Sequence, residues 1–418
     1  MNRFLPNLRH LGLFLEVVRR GSVSAAARAA HLSQPAVTQA VAAVESALGG
    51  KLLLRSAQGL QPTPAGLAVA ARAERALLQL RELLTAMRGR GREARPEALR
   101  GITAAQLDAL VRVTEHGSFA AAAAHAGRSR AAVHRAVRQM EAAVGTALLE
   151  QSAGRQIPTR DGERLAQRAR LAAAEIAQAR DEVAQSMGRG GGATVIGAMP
   201  LARSILVPRA VLSFAAERPE HAVAILDGPY DTLLRALRYG TADLLIGALR
   251  DPAPADDVVQ EHLFDDPLSI IVRAGHPLTK EPAVRAVSLA KYAWIAPRPE
   301  SPLWRQFDCL YRSLGASNRA VPIECSSLVA ARALLLGSDR LMLLSKHQVH
   351  HELKTGELAA LPHPLGPVFR AIGLTLRRNW HPTEAQARLL DVLRTQARAA
   401  ASADDRPRRT VTGAKRPR

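Results

Sequence analysis

Apolar residues recur at helical spacing through the first 190 positions and then gather into short unbroken runs, which divides the chain into a helical half and an α/β half. Leu11, Leu15 and Val18 mark a first helix over about 8–20, closed by Gly21. A second short helix over 22–30 follows, and His31, Leu32 and Ser33 make a turn. Ser33 suits the N-cap of a third helix whose Val37, Val41, Val44 and Leu48 share one face. Gln34, Pro35, Thr38 and Gln39 then face the other way near its start, where proline is tolerated because first-turn amides have no intrahelical partner. Beyond Gly49, KLLLRSAQGLQPTPAG predicts two short strands around a turn at Gln58 and Gly59, completing a winged helix-turn-helix.

The same order is written twice. A displacement of 96 aligns Gly21 and Ser22 with Gly117 and Ser118, Ser33 with Ser129, and Glu45 with Glu141, without a gap. Farther on, Gly49, Pro62, Thr63 and Gly66 meet Gly145, Pro158, Thr159 and Gly162. Alanine matches carry little information here, but these do, and they identify a duplicated domain. Each copy runs into a long helix, over about 64–87 and 161–187. Leu77, Leu80 and Leu84 form a stripe on the first that suits either a dimer seam or a docking face.

The expected domains are a winged domain over 1–66, a linker helix and polar hinge over 67–100, and a second winged domain over 101–162. A second linker helix and glycine-rich joint over 163–192, an α/β domain over 193–401 and a basic, disordered tail over 402–418 complete the chain. The glycines of GRGGG, 188–192, precede a strand instead of following one, so they read as a joint and not a phosphate cradle. TVIGAM, AVAILDG and ADLLIGAL predict buried strands, with helices over about 204–217 and 230–239 between them, the signature of a parallel sheet. LSIIVRAG, YAWIAP and LMLLS continue it, with helices over 302–314 and 327–336.

Charge sharpens the picture. Residues 1–190 hold 27 Lys plus Arg against 15 Asp plus Glu, whereas residues 191–405 hold 24 against 22, and the last 13 residues add six basic groups. A basic helical half points to nucleic acid. No apolar stretch approaches a membrane span, and two cysteines, Cys309 and Cys325, are too few for a disulfide framework and read as buried bystanders. A cytoplasmic protein is expected. KHQVHH, 346–351, lacks the glutamate a zincin motif needs and reads as a solvated helix, so neither an enzyme nor a metal centre is expected.

A helix with small outward residues enters the major groove, and amides at its tip pair with adenine. Gln34 and Gln39 fit that role, Thr38 meets a thymine methyl or a phosphate, and Arg55 and Ser56 on the wing hold backbone phosphates.

The run GSVSAAARAAHLSQPAVTQAVAAVESALGGKLLLRSAQGLQPTPAG resembles the DNA-binding domain of LysR-type transcriptional regulators over nearly its whole length. The rest resembles the family's effector half, two α/β lobes like those of periplasmic binding proteins. LDGPYDTLLRALRYGTADLLIGALR and LFDDPLSIIVRAGHPL resemble the subgroup that includes the galactose-binding-protein regulator. The resemblance implies a homodimer or homotetramer on promoter DNA, a small-molecule effector, no cofactor, and RNA polymerase as a further partner. An architectural DNA-binding protein with little sequence preference is the alternative.

The family carries one winged domain, and the second copy departs from it. Gln34, Pro35 and Arg55 become Arg130, Ala131 and Gln151, and Arg128, His134, Arg135 and Arg138 appear. The second copy is either a packing relic or, as its arginines favour, a reader of a more guanine-rich site through Ser129, Arg130, His134, Arg135 and Arg138. For the effector, the sheet-end junctions supply Met199, Ser204, Gly228, Ala248, Ser301 and Ser327, and the resemblance implies that Leu201, Tyr230, Leu303, Trp304 and Ser326 sit near the family's ligand positions. Leu201 and Tyr230 stand where the family often places Ser or Thr for carboxylated ligands, which leaves a sugar, a sugar acid or an aromatic compound as the expected effector.

Overall fold

A computed structural model of the chain describes residues 4–56, 59–87, 99, 101–314, 322–364, 366 and 368–404. Most of the polar hinge that ends the expected linker over 67–100, and most of the expected tail, lie outside these residues. The described chain forms two compact units, one of residues 1–194 with 220–222 and 238–241, the other of the remainder.

In the first unit, α1 (Leu8–Arg20), α2 (Val23–Ala30) and α3 (Gln34–Leu48) are followed by a hairpin of β1 (Leu53–Ser56) and β2 (Gly59–Pro62), then by α4 (Pro64–Met87). The second copy repeats this with α5 (Ala104–His116), α6 (Phe119–Ala126), α7 (Arg130–Val144), β3 (Leu149–Ser152), β4 (Arg155–Pro158) and α8 (Arg160–Ser186). From α1 through β2, every boundary recurs 96 residues later.

The matched residues do the same work in both copies. Glu45 accepts from the backbone N–H of Leu52 at 2.9 Å and Leu53 at 3.4 Å, and Glu141 does so from Leu148 at 2.9 Å and Leu149 at 3.2 Å, tying each wing to its third helix. Thr63 and Thr159 each accept from the N–H of the glycine three residues on, at 2.9 and 3.1 Å. Those glycines are obligatory, because a Cβ would lie 2.0 Å from the Leu52 carbonyl oxygen at Gly66 and 1.8 Å from that of Leu148 at Gly162.

α4 and α8 pack against each other along their length. Arg72 reaches Glu182 while Arg75 reaches Glu175, so the two helices run in opposite directions. Leu77, Leu80 and Leu84 are fully buried in a single core that takes in both winged copies and Ile176 and Val183 of α8. The leucine stripe is therefore a seam within one chain. Each leucine so buried contributes about 2 kcal/mol.

The second unit holds a nine-stranded sheet of order β10-β9-β11-β8-β13-β7-β5-β6, with β12 paired to β8. Its strands are β5 (Ala193–Ala198), β6 (Ala222–Leu226), β7 (Leu244–Ala248), β8 (Val258–Arg273), β9 (Trp294–Ala296), β10 (Ile323–Glu324), β11 (Leu341–Ser345), β12 (Leu358–Leu361) and β13 (Phe369–Arg377). One lobe core lies among β5, β7, β13, α10 (Leu206–Glu217) and α16 (Glu384–Asp404); the other lies among β8, β9, β11, α13 (Trp304–Ser313) and α14 (Leu328–Leu336). The remaining helices are α9 (Pro200–Ser204), α11 (Tyr230–Arg238), α12 (Ala286–Leu289) and α15 (His350–Thr355).

Four sequence expectations change. The sheet is mixed, since β13 runs antiparallel to both β7 and the long β8, which serves both lobes. β6, expected to be buried, is an end strand whose Ile225 and Leu226 stand 45% and 37% exposed. Cys309 is exposed and Cys325 half-buried, because each lies near the surface of its lobe. KHQVHH is not a solvated helix: His347 Nδ1 meets the buried carboxylate of Asp266 at 3.1 Å, and Gln348 and Val349 are buried.

Candidate functional site

Each third helix is started by a serine whose hydroxyl accepts the N–H three residues on, Ser33 from Ala36 at 3.4 Å and Ser129 from Ala132 at 3.2 Å. Val37, Val44 and Leu48 turn inward, as do Val133, Val137 and Val144. The opposite face is thereby forced outward. Gln34, Pro35, Thr38 and Gln39 are exposed, and so are Arg128, Arg130, His134, Arg135 and Arg138. Neither helix has an acid in its first turn, so the amide end of each meets no negative charge from its own first turn.

Three of the expected contacts are modified by their neighbours. Arg138 donates to Glu141 at 2.8 Å, so the second tip is not free of acids and this cation is partly neutralised. The Ser56 hydroxyl donates to the Gly59 carbonyl at 3.1 Å and thus braces the hairpin, while Arg55 beside it stands exposed. His134 rests edge-on against the Phe119 ring at 4.9 Å.

In the α/β unit the expected effector residues divide. The side chains of Leu201 and Leu303 belong to the two lobe cores, where they are 5% exposed. Ser204 bonds back to the Pro200 carbonyl at 3.2 Å, Ser301 accepts from Leu303 N–H at 3.0 Å, and Ser327 caps α14 by accepting from Ala330 N–H at 3.3 Å. Ser326 is exposed, and Trp304 lies against Phe307 with ring centres 5.8 Å apart. Met199 lies beside Gly247, where any Cβ would approach its own to 2.3 Å, and Ala248 is half-buried at the end of β7. Gly228 is exposed just before Tyr230.

Arg250 was missed. Its guanidinium lies over the Tyr230 ring, 4.2 Å from the centre, and donates to the Glu300 carbonyl at 3.4 Å, which brings the 228–230, 248–250 and 300–301 segments together. Gln260 fixes it by bonding both its backbone N–H and its carbonyl, at 2.9 and 2.7 Å. Among the described residues, the Arg250 Nε and the Tyr230 hydroxyl are buried without a partner. Burial pushes the Tyr230 phenol above its ordinary value, although Arg250 pulls the other way. The signal available in the sequence was position alone, two residues past the end of a strand.

The described residues contain no group of three or more His, Cys, Asp or Glu side chains that could hold a metal ion, and no helix long and apolar enough to cross a membrane.

Comparison with known proteins agrees with this geometry. Residues 188–398 match the LysR substrate binding domain, and residues 8–67 and 104–163 each match the bacterial regulatory helix-turn-helix protein of the lysR family, again 96 residues apart. The HTH-type transcriptional regulator GalR of Pseudomonas putida is 32% identical over 391 residues, covering 93% of this chain and 97% of that protein. PcaQ of Agrobacterium fabrum is 30% identical over 292 residues, covering 70% of this chain and 94% of its own length. Full-length LysG from Corynebacterium glutamicum with bound effector Arg shares the fold at 22% identity and a TM-score of 0.51, over 70% of this chain and 97% of that one. With two matches to the family's helix-turn-helix model and one to its substrate binding domain in one sequence, the chain belongs to the LysR family of transcriptional regulators.

Proposed function

We infer that the exposed tip of α3 reads bases in a major groove, with Gln34 and Gln39 pairing with adenine and Thr38 and Pro35 packing beside them. The observation that carries this reading is the exposed, acid-free tip held by an outward-facing N-cap and flanked by Arg55 on the wing. An exposed, serine-capped helix start recurs at Ser129, Arg130, His134 and Arg135 and supports DNA contact by the second copy, with Arg138 contributing less because Glu141 shares its charge.

The effector is taken up between the two lobes, and the Tyr230–Arg250 pair supports a ligand with a ring and an acid group, a sugar acid or an aromatic acid. It acts by binding one arrangement of the lobes more tightly than another. Leu212 on α10, 73% exposed, and the exposed edge strand β6 support a homo-oligomer. The protein works in the cytoplasm, has no catalytic role, and addresses RNA polymerase at its promoter.

Genomic footprinting with and without sugar acids and aromatic acids tests the reading. Occupancy confined to a few promoters, and altered by one of these compounds, is expected. Uniform occupancy across the genome would instead establish the architectural alternative.

A further inference from the structure

We propose that one chain is a complete DNA reader with two unlike heads, occupying both halves of a non-palindromic operator without a second subunit. This rests on the regulator reading above and extends it to the form of the operator and the number of chains bound.

Three observations carry it. First, the two winged copies share one core through antiparallel α4 and α8, so neither head is an appendage of the other. Second, a cleft of about 1490 Å³ between the copies is lined by equivalent positions from both: Leu8 with Ala104, Gly12 with Asp108, and Glu16 with Arg112. Equivalent residues from both copies lining a single cleft are what a local two-fold relation produces. That relation is the one by which paired recognition helices address two half-sites of a duplex. Third, the two tips are exposed but chemically different, Gln34, Thr38 and Gln39 against Arg130, His134 and Arg135.

The physical consequence follows from connectivity. α4 and α5 are joined by residues 88–103, so the pairing of the copies is intramolecular, with an effective concentration in the millimolar range. Dilution that separates ordinary dimers leaves both heads in place. Unlike tips then select unlike sequences: bidentate amide contacts favour adenine, and bidentate guanidinium contacts favour guanine. A symmetric dimer of single-headed chains has identical tips and selects a palindrome.

Selection of the full chain against a library of randomised duplexes tests the proposal. The expected motif has two parts, one adenine-based and one guanine-based. Gln34→Ala with Gln39→Ala should erase selection only in the first part, and Arg130→Ala with Arg135→Ala only in the second, each lowering affinity about 10- to 100-fold. A saturation titration with a selected duplex of about 25 base pairs, long enough for two half-sites one helical turn apart, should give one duplex per chain whatever the oligomeric state. A palindromic motif, a single-part motif, or two chains per duplex overturns the two-headed reader while leaving the regulator intact. Enrichment of no motif at all overturns the regulator reading itself.

Discussion

Arg72 on α4 donates to Glu182 on α8 through Nε at 2.8 Å, across 110 residues of sequence. The same guanidinium, 3% exposed, also donates to Gln178 at 2.5 Å and Glu175 at 3.2 Å. Burial draws its pKa down, but the two carboxylates more than offset this and hold it above its ordinary value. One side chain thus joins the two winged copies.

Arg72→Met should therefore destabilise the helical unit by about 3 kcal/mol, because Glu182 and Glu175 lose their buried partner. The loss is held to that level by Arg75, which still reaches Glu175 at 3.0 Å. Denaturation of the full chain followed by circular dichroism should show an earlier first transition. Replacing Arg72, Glu175 and Glu182 together with Met should recover most of the loss, and an unchanged transition in the single variant would show that the network contributes nothing.

His31 ends α2 with a φ of +53°, where the second copy places Gly127 at +60°. A side chain in this left-handed region is strained and glycine is not, although glycine is more disordered when unfolded. His31→Gly should stabilise the chain by about 0.5 kcal/mol, and Gly127→His should destabilise it by a similar or larger amount. Thermal melts of the two variants should shift in opposite directions.

Arg250→Ala should weaken effector binding about 10- to 100-fold, the range for losing a hydrogen bond to a charged group. Its DNA affinity without effector should be unchanged, since Arg250 lies in the α/β unit. Thermal-shift screening of wild type and variant against a panel of sugar acids and aromatic acids reads the difference. Equal shifts in both proteins would remove Arg250 from the ligand site.

His276 is fully buried, with Nδ1 accepting from Leu278 N–H at 3.1 Å and Nε2 facing the Asp339 carbonyl at 3.2 Å. Burial lowers its pKa below the ordinary 6.5, so the folded chain holds the ring neutral while the unfolded chain binds the proton first. Its contribution to stability is fully present above that ordinary value and is lost as the pH falls below it. Denaturation midpoints of the α/β unit should decline between about pH 7 and pH 5, and His276→Asn should flatten the decline.

Much of the candidate interface was legible beforehand because it depends on local rules. Ser33, Pro35 and Gly49 state where a helix begins and ends, and the inward valines state which face is left for Gln34 and Gln39. The repeat was equally plain, since Ser33, Glu45, Pro62 and Gly66 meet their equivalents 96 residues on without a gap. Arg250 was not legible, because its place over Tyr230 depends on β7, β8 and the loop after β9 coming together, and no spacing within any one of them records that.

By itself, then, the sequence determined the two winged copies, their outward tips and an α/β half beyond them, all consequences of periodicity, caps and turns acting over fewer than about 20 residues. The tertiary structure alone decided what the leucine stripe of α4 covers and which strands run antiparallel. An apolar face declares only that it must be buried; which surface buries it depends on contacts between segments far apart in the chain, and here that surface is α8 of the same molecule.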